Sequence, residues 1–321
     1  MSQKKKLSKR LLATIITTGV ALVFLAAILI TNIFIPIKYL SPYINISLDK
    51  PKKGEMRISF LDVGEGDCTL LELPDGKVAL FDGGNGSYNN QLKIFKKLNS
   101  FKIDKIDYLF CTSSAKKRCG GLAEIVQYKK IDKVFAPIYT NYGVTEEYRN
   151  FRKEVKNKNT VVNECVYGAG AYNEEYDYCF YVLYPETAST DSEYSSVSSS
   201  SVWISYGGVS VLLLGDLKTS DLQSLYDSYE MTGFEIDGQS IKLEDCNIVK
   251  AANGGKESGA CALLYDLIQA ETAIISTDTQ PALAVLADIG NYAGTNIYRT
   301  DKNGTITLSI VDGAYSVKKE R

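Results

Sequence analysis

The stretch Phe60-Leu61-Asp62-Val63-Gly64-Glu65-Gly66-Asp67 (FLDVGEGD) closes an alternating strand pattern, Met56 to Leu61, with two glycines and three carboxylates. Alternation at period two predicts a strand, and the glycines predict a tight loop that ends it. Working outward, Thr69 to Leu73 and Lys77 to Phe81 flank Pro74-Asp75-Gly76, a hairpin signature. Asp82-Gly83-Gly84 then opens a Gly/Asn-rich loop that runs to Asn90. A helical stretch with Leu92, Ile94, Phe95 and Leu98 on its apolar side follows. Tyr108 to Cys111 reads as a buried strand, followed by a loop, a helix around Leu122, Ile125 and Val126, and a strand at Lys133 to Ala136.

The second half repeats this grammar. Strands are expected at Tyr176 to Leu183, Val202 to Tyr206, Ser210 to Leu214, Asn296 to Arg299 and Thr305 to Ile310, with a turn at Asp301 to Gly304. Helical patterns fall at Thr219 to Tyr229 and Ala260 to Ala270, and the Ser-rich region Glu186 to Ser201 reads as a solvated loop. Hairpins first and helices later, twice over, predict two packed sheets with helices outside.

The N-terminus departs from this pattern. Residues Leu11 to Ile37 carry no charge, and about 20 apolar residues suffice to cross a hydrocarbon core about 30 Å thick. The run continues past its Ala26-Ala27 pair, which favours an anchor over a cleaved signal. Lys4, Lys5, Lys6, Lys9 and Arg10 precede it and only Lys38 follows closely, so the N-terminus is expected in the cytoplasm and the bulk outside. The expected organisation is a basic stub (1–10), a transmembrane anchor (11–37), a linker (38–54) and one domain (55–316).

Composition removes several chemistries. There is no histidine in the 321 residues, which excludes Ser-His-Asp and Cys-His catalysis in their usual forms and every His-rich zinc site. The first 38 residues hold six Lys/Arg and no Asp/Glu, which leaves 30 bases against 38 acids beyond them. That excess of acids, with no basic stripe visible along the sequence, argues against nucleic acid as a partner. Cys68, Cys111, Cys119, Cys165, Cys179, Cys246 and Cys261 show no C-x-x-C spacing, so buried free thiols are expected.

Three segments carry a resemblance. Phe60 to Asp67, followed by Asp82-Gly83-Gly84, resembles the F-L-D-V-G-Q-G-D and D-G-G of the metallo-β-lactamase-like domain of ComEC-type competence proteins. Val211-Leu212-Leu213-Leu214-Gly215-Asp216 is similar to that family's L-L-x-G-D, and Tyr298 to Ile306 (YRTDKNGTI) to its closing Y-R-T-D-x-N-G-T-I. The resemblance implies a four-layer αββα sandwich of the metallo-β-lactamase fold. It also implies a T-H-x-H-x-D-H-x-G-G-L motif whose imidazoles and carboxylate bind cations that activate water. Here that place reads Thr112-Ser113-Ser114-Ala115-Lys116-Lys117-Arg118-Cys119-Gly120-Gly121-Leu122. The His positions hold Ser113, Ala115 and Arg118, and the Asp position holds Lys117. The family's later His pair is Asn253-Gly254 here, and its H-P pair matches Gln280-Pro281. Of the ligand set only Asp216 is retained.

The expected function is therefore a membrane-anchored pseudoenzyme with no catalytic residue, metal or cofactor, binding an extracytoplasmic protein or small ligand or acting as a scaffold. The alternative is a ComEC-like metallo-hydrolase, of the phosphodiesterase or nuclease class, with a rearranged site. DNA uptake is the resemblance's usual context, but no multi-spanning channel is evident. Asp62, Gly64, Glu65, Gly66, Asp67, Asp82, Gly83 and Gly84 are expected to shape loops. A site built from Cys68, Cys119 and Asp216, or Ser113 activated by Lys116 or Lys117, stays open as a minor reading. Lys117 or, better, Arg118 with its forked donors is expected within about 4 Å of Asp216.

Overall fold

The computed structural model describes residues 9–34, 50–137, 144–186, 199–290 and 294–321. Helix α1 (Lys9–Phe34) begins two residues before the expected anchor, and residues 35–37 of that anchor lie outside the described ones. Among the described residues it is the one helix long and apolar enough to cross a membrane, with Ala13–Ile30 at mean hydropathy 2.5. Its threonines fold back on the helix: Thr14, Thr17 and Thr18 hydroxyls donate to the carbonyls of Arg10, Ala13 and Thr14 at 3.0, 3.1 and 2.9 Å. Such internal pairing lets a hydroxyl sit in an apolar environment without a stranded donor.

Strands β1 (Met56–Phe60), β2 (Thr69–Glu72), β3 (Val78–Phe81), β4 (Lys105–Phe110), β5 (Lys130–Ala136) and β6 (Val162–Glu164) belong to the first sheet. Strands β7 (Gly170–Asn173), β8 (Tyr178–Tyr184), β9 (Ser201–Tyr206) and β10 (Val209–Leu213) belong to the second, and β11 (Phe234–Ile236) and β12 (Gln239–Ile241) form a small hairpin. Strands β13 (Ile248–Lys250), β14 (Thr272–Ile275) and β15 (Asn296–Arg299) complete the second sheet; β16 (Ile306–Val311) and β17 (Ala314–Lys319) return to the first. The orders are β17-β16-β1-β2-β3-β4-β5-β6 and β15-β14-β13-β10-β9-β8-β7. Ser201, expected in a loop, starts β9, and β17 carries the domain three residues past its expected end at 316. The expected turn after β15 is a single helical turn, Thr300–Asn303.

Alternation along the strands makes the layers. Ala79 and Phe81 of β3 face the other sheet, whereas Val78 and Leu80 face helices. Between the sheets Phe110 stacks on Phe81 and Phe135 with centroids 4.5 Å apart in both pairs, and Phe180 meets them edge-on from the second sheet. Outside the first sheet pack α2 (Tyr88–Ser100), α4 (Leu122–Tyr128) and α5 (Glu146–Asn157), through Ile94, Phe95, Leu98, Ile125, Phe151 and Val155. Outside the second pack α6 (Thr219–Thr232), α7 (Ala262–Ile268) and α8 (Leu283–Gly290), through Leu222, Leu225, Leu264, Ile268 and Val285. The order is helix, sheet, sheet, helix. A four-residue helix, α3 (Lys116–Cys119), lies between β4 and α4.

All seven cysteines are buried and free. Burial pushes the Cys165 and Cys246 thiols up to about 12, far from the thiolate form that reacts. A thiol reagent at neutral pH is expected to leave the folded chain unmodified and to label seven groups in denaturant. Rapid labelling of the native chain would contradict this packing.

Candidate functional site

The C-terminal ends of the parallel strands β3, β4, β10 and β13 point to one edge of the sandwich, the place where ligands gather in folds built on parallel strands. Three loops are stitched together there by the backbone. Asp67 N–H donates to Lys117 O at 3.1 Å, Gly83 N–H to Arg118 O at 2.7 Å and Gly84 N–H to Asp67 O at 2.8 Å. Gly66 has φ 146°, and a Cβ there would stand 2.7 Å from Lys117 O, so only glycine lets the loops close. Gly215 is equally constrained, with φ 58° and Ser200 O 2.6 Å from where a Cβ would lie.

This stitching brings Arg118 between three carboxylates. Its Nη1 donates to Asp67 and, at 3.2 Å, to Asp82; its Nη2 donates to Asp216 Oδ1 at 2.7 Å. Lys117 Nζ is 3.1 Å from the same Asp216 oxygen and donates to Asn253 Oδ1 at 2.6 Å. Lys250 donates to Asp67 from the end of β13. Asp82 also accepts from Thr112 N–H at 2.7 Å and from its hydroxyl at 2.6 Å. Arg118, Lys250, Asp67, Asp82 and Asp216 are all buried or nearly so.

Two buried basic side chains and the partly exposed Lys117 thus face three buried carboxylates. Burial acts to raise the Asp216 carboxyl, but Arg118 and then Lys117 outweigh it and hold it below its ordinary value. Burial dominates at Asp82, which is raised despite Arg118 and Thr112. Burial acts to lower the Arg118 guanidinium, which Asp216 and Asp82 nonetheless hold above its usual range. Lys117 is lowered by burial more than Asp216 restores it. Among the described residues, Asp67 Oδ1, Asp216 Oδ2 and Arg118 Nε are buried without a hydrogen-bond partner.

Burial also pulls the Lys250 ammonium down, to about 7, from about 10.4 in an unfolded chain. Between those values the unfolded chain binds more protons than the folded one, so stability rises with pH across that window. Unfolded cysteines begin to ionise near about 8.5 and reverse the trend, because the buried thiols stay neutral. The melting temperature of the full chain is therefore expected to rise from pH about 7 to about 8.5, and Lys250→Met to flatten the rise. An unchanged slope in the variant would assign the effect elsewhere.

The fold family's cations would lie in this cluster, and the residues present do not fit them. Guanidinium and ammonium nitrogens already occupy the inward faces of the carboxylates. Among the described residues no group of three His, Cys, Asp or Glu could hold a metal ion. The cleft lined by Lys117, Arg118, Asp216 and Asn253 is about 20 Å³, space for about one water.

The other sequence-derived candidates are placed elsewhere. Ser113 is buried and accepts from Ala115 N–H at 3.2 Å; Lys116 turns to Glu147 at 3.0 Å, so neither lysine serves Ser113 as a base. Cys119 donates to Ser114 O at 3.3 Å and is not gathered with Cys68 and Asp216 into a ligand set. Asp62 accepts from Gly64 N–H at 3.4 Å and pairs with Lys93 and Arg321 at 3.2 and 3.0 Å; Glu65 pairs with Lys256 at 3.3 Å. Asp67 ties the loops through its backbone and, in addition, its side chain joins the charge cluster, where Arg118 and Lys250 both reach it. Gln280 accepts from Arg299 at 2.7 Å. Sequence reasoning missed Lys250. The signal was a lysine closing the apolar run Ile248-Val249 in a central strand, where an ammonium must find a buried partner.

No family model matches the chain. It is 23% identical over 275 residues to ComE operon protein 3 of Bacillus subtilis (strain 168), a match that covers 79% of this chain and 33% of that protein. The chain thus spans about a third of the length of that relative. The metallo-beta-lactamase fold protein YhfI from Bacillus subtilis superposes with TM-score 0.50 at 8% identity, over 82% of this chain and all of that one. Sheet order, the glycine loops around Arg118 and the superposition agree that the domain following the apolar helix has the metallo-β-lactamase fold, and its sequence is similar to part of ComE operon protein 3.

Proposed function

We propose that the chain is a membrane-anchored, extracytoplasmic pseudoenzyme of the metallo-β-lactamase fold, with a binding or scaffold role rather than hydrolysis. The observation that carries this reading is the pairing of Asp216 with both Arg118 and Lys117 at 2.7 and 3.1 Å. Cationic side chains stand where the fold's metal ions would, so the retained carboxylate is neutralised from within. Hydrolysis in this fold depends on a cation to make hydroxide from water at neutral pH, and no such cation fits here. The uncharged segment of α1 and the basic residues before it support the anchor and its orientation.

Two experiments test the two halves. The purified full-length chain, assayed on a phosphodiester with added zinc or manganese, is expected to show no turnover above the metal alone. Turnover that Asp216→Asn abolishes would support the rearranged hydrolase instead. Protease added to intact cells is expected to remove the domain. Survival there, with digestion after lysis, would place the domain in the cytoplasm.

A further inference from the structure

The excess of acids in the exported part conceals a strongly polarised surface. A groove of about 470 Å³ runs along the outward face of β16, beside the end of α2. Lys50, Lys52, Arg57, Lys97, Lys318 and Lys319 line it against two glutamates. A second groove of about 430 Å³ shares Lys97, Thr305 and Glu320 with the first and adds Lys93, Lys96 and Arg321 against Asp62. Eight exposed or half-exposed Lys or Arg therefore face Glu320 and Asp62 on one continuous surface, above a buried Arg57–Glu55 pair, in a chain that beyond residue 38 has eight more acids than bases. The floor is polar because Thr305, Thr307 and Ser309 alternate with the buried Ile306, Leu308 and Ile310. Phe101 forms part of the wall, with Lys97 4.3 Å and Arg57 6.0 Å from its ring centre. No residue of this surface lines the Arg118–Asp216 cleft.

The surface surrounds the point where the chain enters the domain. Lys50, Lys52 and Lys53 are exposed and open the domain, and Phe34 ends the apolar helix. The sixteen steps between Phe34 and Lys50 can span at most about 55 Å, so a bilayer holding α1 keeps this basic face within that reach. We infer that the face around Lys50, Lys52, Lys96 and Lys319 docks on the anionic headgroups of the membrane that holds α1. The inference rests on the anchor proposed above. Tethering favours a lipid surface over a nucleic acid, since the bilayer is held beside the groove and a duplex must be recruited. Such docking turns the Arg118 edge of the sandwich in a fixed direction relative to the bilayer.

The test uses the full-length chain in nanodiscs of phosphatidylcholine alone or of equal parts phosphatidylcholine and phosphatidylglycerol, read by hydrogen exchange. Peptides covering 50–57, 93–101 and 314–321 are expected to exchange more slowly in the anionic discs, and salt that shrinks the screening length to about 3 Å should abolish the difference. Each basic residue near an anionic surface is worth about fivefold in partitioning. The triple variant Lys52→Gln, Lys96→Gln, Lys319→Gln should lower the docked population by about two orders of magnitude, with native Trp203 fluorescence confirming its fold. Incorporation into both discs with equal exchange would overturn docking and leave the anchor standing. Failure to incorporate into either disc would overturn the anchor and the docking with it. Protection by duplex DNA in the neutral discs, without protection by phosphatidylglycerol, would reassign the groove to nucleic acid.

Discussion

Arg118→Met is expected to lower the unfolding free energy by about 3–5 kcal/mol, the usual cost of removing one partner from a buried ion pair. Trp203, the only tryptophan and 5% exposed, reports the transition. The guanidinium neutralises Asp216 and contacts Asp67 and Asp82 at once, so its loss strands negative charge that water cannot reach. Lys117 and Lys250 retain one contact each with Asp216 and Asp67, which keeps the loss finite. Adding Asp216→Asn to Arg118→Met should recover part of the stability, because a neutral amide replaces the stranded charge. A double variant no more stable than Arg118→Met would show that packing, not charge, sets the cost.

Asp82→Ala is expected to cost at least about 4 kcal/mol. Two hydrogen bonds from Thr112 end on this carboxylate, and bonds to charged groups contribute about 1.5–3 kcal/mol each. Asp82 also holds φ 63°, a left-handed conformation that Asp tolerates and alanine does not, at about 1–2 kcal/mol. Asp82→Asn keeps one acceptor oxygen for the Thr112 N–H and the backbone tolerance, so it should lose less than Asp82→Ala. Equal losses in the two variants, by denaturant titration, would contradict this division.

The fold was legible because glycine positions are set by backbone geometry. Gly66, Gly83, Gly84 and Gly215 stand where loops must touch, whether or not a metal is held between them. The strands around them were equally legible by alternation and hairpin chemistry. Helix α5 was not, because only Tyr148, Phe151 and Val155 are buried in its twelve residues. Its start was nonetheless written in Thr145, which caps Tyr148 N–H at 3.2 Å, followed by Glu146 and Glu147. Strands β6 and β7 are short edge-side pieces with mixed burial, so alternation gave little signal.

For the site, the resemblance implied that Ser113, Ala115 and Arg118 stand at the family's imidazole positions. The partners of Arg118 were less legible, since Asp67, Asp82 and Asp216 come from three separate loops. Lys250 was hidden inside an apolar strand, and the basic groove joins residues near 50, 97 and 318 that sequence order separates. Net charge sums over a surface and cannot report how that charge is divided between faces.

Side-chain cations at the Arg118–Asp216 cluster are proposed to take the place of the fold's metal ions. Elemental analysis of the chain, purified without chelators from zinc- and manganese-supplemented cells, distinguishes the two. The expected result is metal far below one ion per chain, unchanged in Asp216→Asn. About one ion per chain, released by Asp216→Asn, would contradict it.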